Sequence, residues 1–283
     1  MLKVLQSGIY TSVQDLGRPG YASIGVPFSG AMDEYSTRMA NLLLGNKETD
    51  AILEITLGNT SFLFEKEIFA IVSGARSNIT LNGTSVVLNS VIKLPENAIL
   101  KIGIPQSGVR NYLAVKGGFL TEKILGSRSF FKNITAANML KKGDMLHYNA
   151  SSLSSAPALS SVKIKDEHLK SEVLEVRTGP EFEFLSEKQQ KTLLKMSFSI
   201  SKDNNRMGYR LNELLENDLT SILTSAVLPG TVQLTPSGNL IVLMRDCQVT
   251  GGYPRVLQLT DEAINRLAQK STGHQIQFKL IPL

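Results

Sequence analysis

The chain has 283 residues, of which 42% are hydrophobic and 19% charged, and its formal net charge is +5. This composition excludes a disordered chain, and the length favours two domains over one. The Lys and Arg residues are spread along the chain, so we expect no nucleic-acid partner. A single cysteine, Cys247, excludes an internal disulfide, and no run of about 20 apolar residues predicts a membrane span. We therefore expect a cytoplasmic protein with no membrane partner.

The first half of the chain is predicted to be mostly sheet. Met1 to Gly8 has the short apolar alternation of a first strand and lacks the sustained apolar region of a signal peptide. Asn82-Gly83 lies between two β-type runs and predicts a hairpin with a type I′ turn. Short strands are also predicted at Ile68 to Val72, Ile99 to Ile104 and Tyr112 to Val115.

Helices are predicted at three places. Apolar residues recur at helical spacing from about Ala31 to Leu44, and Gly45 follows as a C-terminal cap. Ser186 to Gln189 fits a capping box and predicts a helix that ends near Met196. Asp261 to Gln269 predicts another, with acidic residues in its first turn. Between the last two, Pro236-Ser237-Gly238 separates two β-type runs and predicts a second hairpin.

The Ser- and Ala-rich stretch from Asn149 to Ser161 predicts a linker. It separates two domains, residues 1–149 and 162–283. Gly143 to Tyr148 can be laid over Gly273 to Phe278, since each reads as a closing strand after a tight turn. This parallel hints at two copies of one barrel-like domain, in a chain that is mainly β with a few helices.

Several familiar motifs are missing. The chain has no Gly-Lys dipeptide and therefore no Walker phosphate loop. Cys pairs, His-Glu-x-x-His and Gly-x-Ser-x-Gly are also missing, so we predict no metal site and no nucleophile elbow. His147, His168 and His274 are far apart and are expected to be ordinary surface or core residues. Leu194-Lys195-Met196 lacks the first Met of a biotin-accepting sequence, so no biotin attachment is predicted.

Two glycine-containing segments near the N-terminus combine chain reversals with polar side chains. In Gln14 to Gly20, Asp15 either bonds nearby amides in a structural turn, or Arg18 anchors a carboxylate or phosphate through paired hydrogen bonds. Gly25 to Asp33 leads directly into the first helix. Free amides at a helix start favour an anion, whereas Ser29 or Asp33 could simply cap the helix.

A third segment, Asn204 to Leu211, is a turn followed by alternating residues. Arg206 and Arg210 are four residues apart, so they share one face if the stretch is extended. The alternative is that both are solvated charges.

The fourth segment, Arg245 to Pro254, is the best candidate site. It follows an apolar strand, and Asp246 and Gln248 point to the same side if that strand continues. Gly251-Gly252 permits the close approach of a ligand beside these polar groups.

Taken together, these segments resemble the C subunit of bacterial 5-oxoprolinase, a family also called allophanate hydrolase subunit 2 or the KipA type. The similarity spans nearly the whole chain. It is carried by Gln14 to Gly20, Gly25 to Asp33, Asn41 to Asn46, Asn205 to Leu211 and Gln248 to Pro254. Members resemble one half of the carboxyltransferase domain of urea carboxylase, and the resemblance implies two cyclophilin-like β-barrel domains in tandem.

The resemblance implies a component of an ATP-dependent 5-oxoprolinase, which hydrolyses 5-oxo-L-proline to L-glutamate. Its implied partners are homologues of the B and A subunits of that enzyme. ATP would bind with the partner subunits, and the chain alone would be inactive. The implied substrate is a small-molecule amide.

Site roles follow from the same resemblance. Asp246, Gln248 and Asp33 are the candidate catalytic residues. Substrate or anion binding is expected at Arg18, Ser29, Gly30, Arg206, Gly251, Gly252 and Tyr253. The chain departs from the family pattern at Asn204-Asn205, where an acidic residue is usual, and at Cys247, where Arg is common.

Two other functions fit the family. One is a carboxyltransferase that acts on urea or a related amide with a separate biotin carrier. The other is a non-catalytic regulator that binds a histidine-kinase inhibitor. A genomic neighbour carrying biotin favours the first, and a pocket that tolerates substitution favours the second.

Overall fold

A computed structural model describes residues 1–149 and 167–282 of the chain. The chain forms two compact units: Met1–Arg18 with Ser29–Leu169, and Pro19–Phe28 with Lys170–Leu283. The predicted domain bounds are 1–149 and 162–283. The first of these domains includes residues 19–28, which cluster with the second unit instead. The predicted linker lies outside the described residues except for Asn149.

The first unit is built on a nine-stranded sheet. Its strands are β1 (Leu2–Ser7), β2 (Tyr10–Gln14), β3 (Ile52–Thr56), β4 (Thr60–Phe64), β5 (Ile68–Leu81), β6 (Thr84–Val86), β7 (Ile92–Leu94), β8 (Ala98–Val115) and β9 (Met145–Leu146). The main path runs β2-β3-β8-β4-β1-β9, and β5 pairs with β6, β7 and β8. Buried apolar side chains, among them Phe62 and Leu113, form its core.

Strand β8 corrects one expectation. The runs predicted as separate strands, Ile99 to Ile104 and Tyr112 to Val115, belong to a single 18-residue strand. Its pairing with β5 shifts register three times between Gly74 and Ile79, opposite the stretch around Pro105. Such irregularities accommodate residues that a regular ladder excludes, which explains why the strand continues.

The hairpin at Asn82-Gly83 is confirmed. Leu81 of β5 pairs with Thr84 of β6. Asn82 and Gly83 have φ values of 49° and 86°, as the type I′ turn requires.

The first helix, α1 (Glu34–Leu43), is confirmed, but it begins three residues later than predicted. The difference arises because Asp33 is extended and its side chain caps the helix, so the helical turns start only after it. Gly45 follows the helix with φ 63°, as expected of a residue just beyond a C-terminus.

Seven strands of the second unit form a closed barrel. In barrel order they are β10 (Val173–Thr178), β17 (Arg255–Leu259), β14 (Thr231–Leu234), β15 (Asn239–Leu243), β12 (Gly208–Leu214), β11 (Phe198–Asn204) and β18 (Gln275–Leu280). A small separate ribbon pairs β13 (Ser225–Ala226) with β16 (Thr250–Gly251). The predicted second hairpin is confirmed as β14 and β15, which pair on either side of Gly238.

The mainly β class with two barrel-like units is therefore confirmed, one unit closed and the other a curled half-barrel. In each unit the predicted closing strand pairs with that unit's first strand. The pairing of β9 with β1 is antiparallel, whereas that of β18 with β10 is parallel. The two units are thus similar in plan but not copies of one topology.

The remaining α-helices comprise one that crosses the boundary between the units at Leu169 and two in the second unit. They are α2 (Glu167–Lys170), α3 (Glu187–Lys195) and α4 (Asp261–Leu267), with 3-10 turns at Ala22–Ile24 and Phe182–Phe184. The capping box at Ser186 is present, since its hydroxyl accepts from the Gln189 amide and the Gln189 side chain accepts from the Ser186 amide. Within the described ranges, no helix is both long and apolar enough to cross a bilayer.

Candidate functional site

Asp15 organises a buried turn in the first unit. Its carboxylate accepts hydrogen bonds from the Gly17 and Arg128 amides at 2.9 and 2.6 Å. The Ser127 and Ser129 hydroxyls donate to the same carboxylate at 2.6 and 2.7 Å. Four donors at one carboxylate support a structural role for Asp15.

Arg18 and Gly30 lie beside this turn. Arg18 is 1% exposed, and its guanidinium donates to the Ser129 carbonyl. Ser29 is fully buried with φ 58°, and Gly30 has φ 95°. A Cβ on Gly30 would lie 2.8 Å from the Gly17 nitrogen. Glycine is therefore needed at position 30, because the two turns pack backbone against backbone.

Asp33 is the centre of a buried polar group at the start of α1. Its carboxylate accepts from the Ser36 amide at 3.1 Å and from the Ser36 hydroxyl at 2.7 Å. The Nε2 atom of His168 lies 2.8 Å from the same carboxylate, and the His168 ring is 4.9 Å from that of Tyr35. The capping role considered for Asp33 is thus present, together with a histidine that was expected to be an ordinary surface or core residue.

Glu54 and Tyr112 complete this group, which we call the α1 cluster: Asp33, Glu54, Arg110, Tyr112 and His168. The Asp33 amide donates to the Tyr112 hydroxyl at 2.9 Å, and Arg110 Nε lies 3.7 Å from Glu54. Burial, with the charges of Glu54 and Asp33, raises the pKa of Tyr112 well above its usual value, so the hydroxyl stays protonated. One signal was available in the sequence, since Glu54 interrupts the apolar strand β3.

In the second unit, Arg206 and Asp246 bind each other. Arg206 donates from Nε and Nη2 to the two Asp246 oxygens at 2.8 and 2.9 Å, and both side chains are about nine-tenths buried. Asp246 lies in a turn beyond the end of β15, so the strand does not continue to place it beside Gln248 as considered. Arg206 likewise precedes β12 and is buried, whereas Arg210 on β12 is exposed.

The other residues predicted in this unit line an open groove of about 570 Å³. We call it the barrel groove. It is lined by Lys202, Asp203, Asn204, Asn205, Met207, Gly208, Arg210, Gln233, Ile241, Leu243, Gln248, Gly251, Gly252 and Tyr253. The structure thus brings Gln248, Gly251, Gly252 and Tyr253 together with Arg210 of the third segment, and it adds Lys202 and Gln233, which were not predicted.

Cys247 is 4% exposed and lies between Asp246 and Gln248 in the chain. Burial and the neighbouring Asp246 charge raise the pKa of its thiol to about 12, so it is protonated at neutral pH. Across residues 1–149 and 167–282, no group of three or more His, Cys, Asp or Glu side chains is arranged to hold a metal ion.

The candidate residues therefore fall into two sets. Arg18, Ser29, Gly30 and Asp33 belong to the first unit, around the Asp15 turn and the α1 cluster. Arg206, Asp246 and the groove residues belong to the second. Each set combines buried charge with backbone turns, and the groove residues of the second set line a cavity of ligand size.

Fold and sequence together define the class as that of carboxyltransferase-type β proteins. The family model described as "Carboxyltransferase domain, subdomain A and B" matches residues 24–280, and the chain belongs to this family. The structure of K. lactis urea amidolyase matches with a TM-score of 0.88 and 29% identity, covering 99% of this chain and 19% of that protein. The chain thus corresponds to about a fifth of that larger enzyme.

The curated relatives narrow the family further. The C subunit of 5-oxoprolinase from Escherichia coli is 34% identical over 98% of this chain and 90% of its own length. The protein of the same name from Haemophilus influenzae is 30% identical over 100% of this chain and 92% of its own length. The resemblance to this 5-oxoprolinase component is confirmed.

Proposed function

We propose that the chain is the C subunit of an ATP-dependent 5-oxoprolinase, which opens 5-oxo-L-proline to L-glutamate. The observation that carries this proposal is the end-to-end match to two proteins named as that component. The urea amidolyase match, by contrast, concerns only 19% of a larger enzyme. One component of a complex implies partners, and we assign these roles to homologues of the A and B subunits.

The chemistry requires activation, because an amide carbonyl is a poor electrophile. Transfer of a phosphoryl group from ATP to the ring amide oxygen makes the carbon open to attack by water. ADP is the leaving group of this transfer. After water adds to the carbon, the ring C–N bond breaks and its nitrogen takes a proton. A second water then hydrolyses the resulting acyl phosphate to the carboxylate and free phosphate. Positively charged and amide side chains that bind the substrate and the developing charge would assist these steps.

For this chain we assign substrate binding to the barrel groove, with Gln248 orienting the amide and Gly251 and Gly252 allowing close approach. The Arg206–Asp246 pair would hold the turn that precedes Gln248, since both charges are directed at each other. For Asp33 we assign a structural role, because its buried carboxylate caps α1 and is bonded to His168.

The test is ATP-dependent glutamate release from 5-oxo-L-proline by the purified chain, alone and mixed with the subunits encoded beside it. We expect release only from the complete mixture. Mixtures lacking ATP or lacking this chain are the controls. Release that persists without this chain, or none from any mixture, would contradict the proposal.

A second candidate is a carboxyltransferase half that acts on urea or a related amide. It is favoured by the match to urea amidolyase at a TM-score of 0.88. Such a protein needs a separate biotin carrier, because we expect no biotin attachment on this chain. Carboxylation of urea that depends on an added biotinylated carrier, with no glutamate release in the first assay, would favour this candidate.

A further inference from the structure

We propose that the barrel groove is a binding site for a small amide carrying a carboxylate, and that Arg210 binds the carboxylate. The inference rests on the proposed function and deepens it, since it names the residues that recognise the carboxylate and the amide of 5-oxo-L-proline. Arg210 replaces Arg206 as the anion-binding arginine of this segment.

The first argument is the state of the two arginines. Arg206 is buried and satisfied by both oxygens of Asp246. Arg210 is exposed in the groove, and we find no hydrogen bond or ion pair to its side chain among the residues the structure describes. A guanidinium with free donors matches the planar geometry of a carboxylate, to which it can make two parallel hydrogen bonds.

The second argument is register. Arg210 of β12 pairs with Ile241 of β15, and Ile241 pairs with Gln233 of β14. The residues flanking Arg210 and Gln233 in their strands are in the barrel core, so this row lies on the outer face. Two strand spacings put Arg210 and Gln233 roughly 10 Å apart at their Cα atoms, with an apolar residue between them. This row therefore places Arg210 on the face that the groove occupies, beside the apolar Ile241.

The third argument is the amide end. Gln233 is 2% exposed, packs against Gly251 and donates from Nε2 to the Tyr253 carbonyl at 3.5 Å, so it borders the site without being open to a ligand. No hydrogen bond to the Gln248 side chain is found in residues 1–149 and 167–282. A carboxamide both donates and accepts, as a ring amide does, so the half-buried Gln248 in the groove lining complements it.

Charge and size agree with this assignment. Lys202 and Arg210 against Asp203 leave the groove with an excess of one positive charge, which favours an anion. A cavity of about 570 Å³ is within the usual range for small-molecule sites. Gly251 leaves room for the Gln233 side chain, because a Cβ at position 251 would lie 2.4 Å from Gln233 Nε2 and displace that group.

The experiment measures binding of 5-oxo-L-proline and of 2-pyrrolidinone, its analogue without the carboxylate, to the full chain and to the chain mixed with its partner subunits. We expect Arg210→Gln to weaken 5-oxo-L-proline binding by about tenfold or more and to leave 2-pyrrolidinone binding unchanged. Arg177→Gln is the matched control, since Arg177 is exposed on β10 and outside the groove. Gly251→Ala should weaken both ligands.

The inference is overturned if 5-oxo-L-proline binds neither preparation, or if Arg210→Gln and Arg177→Gln bind it equally well. Glutamate release by the mixture, accompanied by either result, would leave the proposed function standing without this site. Arg210-dependent binding with no glutamate release in any mixture would support this binding site and contradict the proposed function. Circular dichroism of each variant separates a lost site from a lost fold.

Discussion

At the scale of single residues, the Arg206–Asp246 pair makes the sharpest prediction. Both side chains are largely buried and share two hydrogen bonds, so removing one leaves the other's charge without its counter-ion. We expect Arg206→Leu and Asp246→Leu each to lower the free energy of unfolding by about 3 kcal/mol. Urea denaturation followed by circular dichroism measures this loss.

The double variant Arg206→Leu/Asp246→Leu provides the control for this pair. It leaves neither charge unpaired, so its loss should be smaller than the sum of the two single losses. Arg177→Leu, on an exposed position of β10, should change the free energy of unfolding by no more than about 0.5 kcal/mol. Strictly additive losses would show that the pair contributes no coupling.

The residues of the candidate site were only partly predictable, and the reason is distance along the chain. Arg206 was identified from its motif, but its partner Asp246 is 40 residues away, so the sequence did not indicate that the two bind each other. His168 lies 135 residues from Asp33 and precedes a boundary between units. Only the tertiary fold brings such residues together.

At the scale of elements, the N-terminus of α1 depends on one carboxylate. Asp33→Ala removes the acceptor of the Ser36 amide and the hydrogen-bond partner of His168. We expect it to lower the free energy of unfolding by about 2 kcal/mol, which is the upper range for a lost cap. Chemical denaturation of the full chain is the measurement.

Asp33→Asn separates the cap from the charge. Asparagine caps helices as well as aspartate does, so the Ser36 hydrogen bond should survive and the loss should be clearly smaller than for alanine. Equal losses in the two variants would instead assign the stabilisation to the charge of Asp33 beside His168.

Elements whose ends depend on neighbouring residues were predictable from sequence. The turn at Asn82-Gly83, the capping box at Ser186 and the hairpin around Gly238 each rest on interactions within a few residues. Strand β8 was not predictable as one strand, because its continuity depends on pairing with β5 across shifted register. Residues such as Pro and Gly indicate where a strand can end, but pairing with the partner strand determines whether it ends there.

At the scale of the whole molecule, the two units differ in how their sheets are completed. Only the second has a described sheet that closes on itself, and its outer face carries the barrel groove. A closed barrel leaves no unpaired edge, so residues on neighbouring strands, such as Arg210 and Gln233, are held in fixed register. The binding residues of the proposed site therefore lie on a rigid part of the second unit.

Acid stability of the chain should depend on an ion pair of the same unit. Arg255 of β17 donates to Glu181 from Nε at 3.0 Å, from Nη2 at 2.8 Å and from its backbone amide at 2.8 Å. The hydrogen bonds from the Arg255 side chain lower the pKa of Glu181 below its ordinary value of 4.5. Since the unfolded chain lacks the pair, protons bind more tightly to unfolded than to folded protein.

The stabilisation by Glu181 is therefore complete above about pH 4.5 and is lost as the pH falls through the lower pKa of the folded state. We expect Glu181→Gln to be less stable than the native chain at pH 7 and this difference to shrink as the pH falls below about 4.5. Denaturation at several pH values measures it, with Glu183→Gln, an exposed neighbour, as the control. A difference that is constant across the pH range would show that Glu181 contributes through packing and not through its charge.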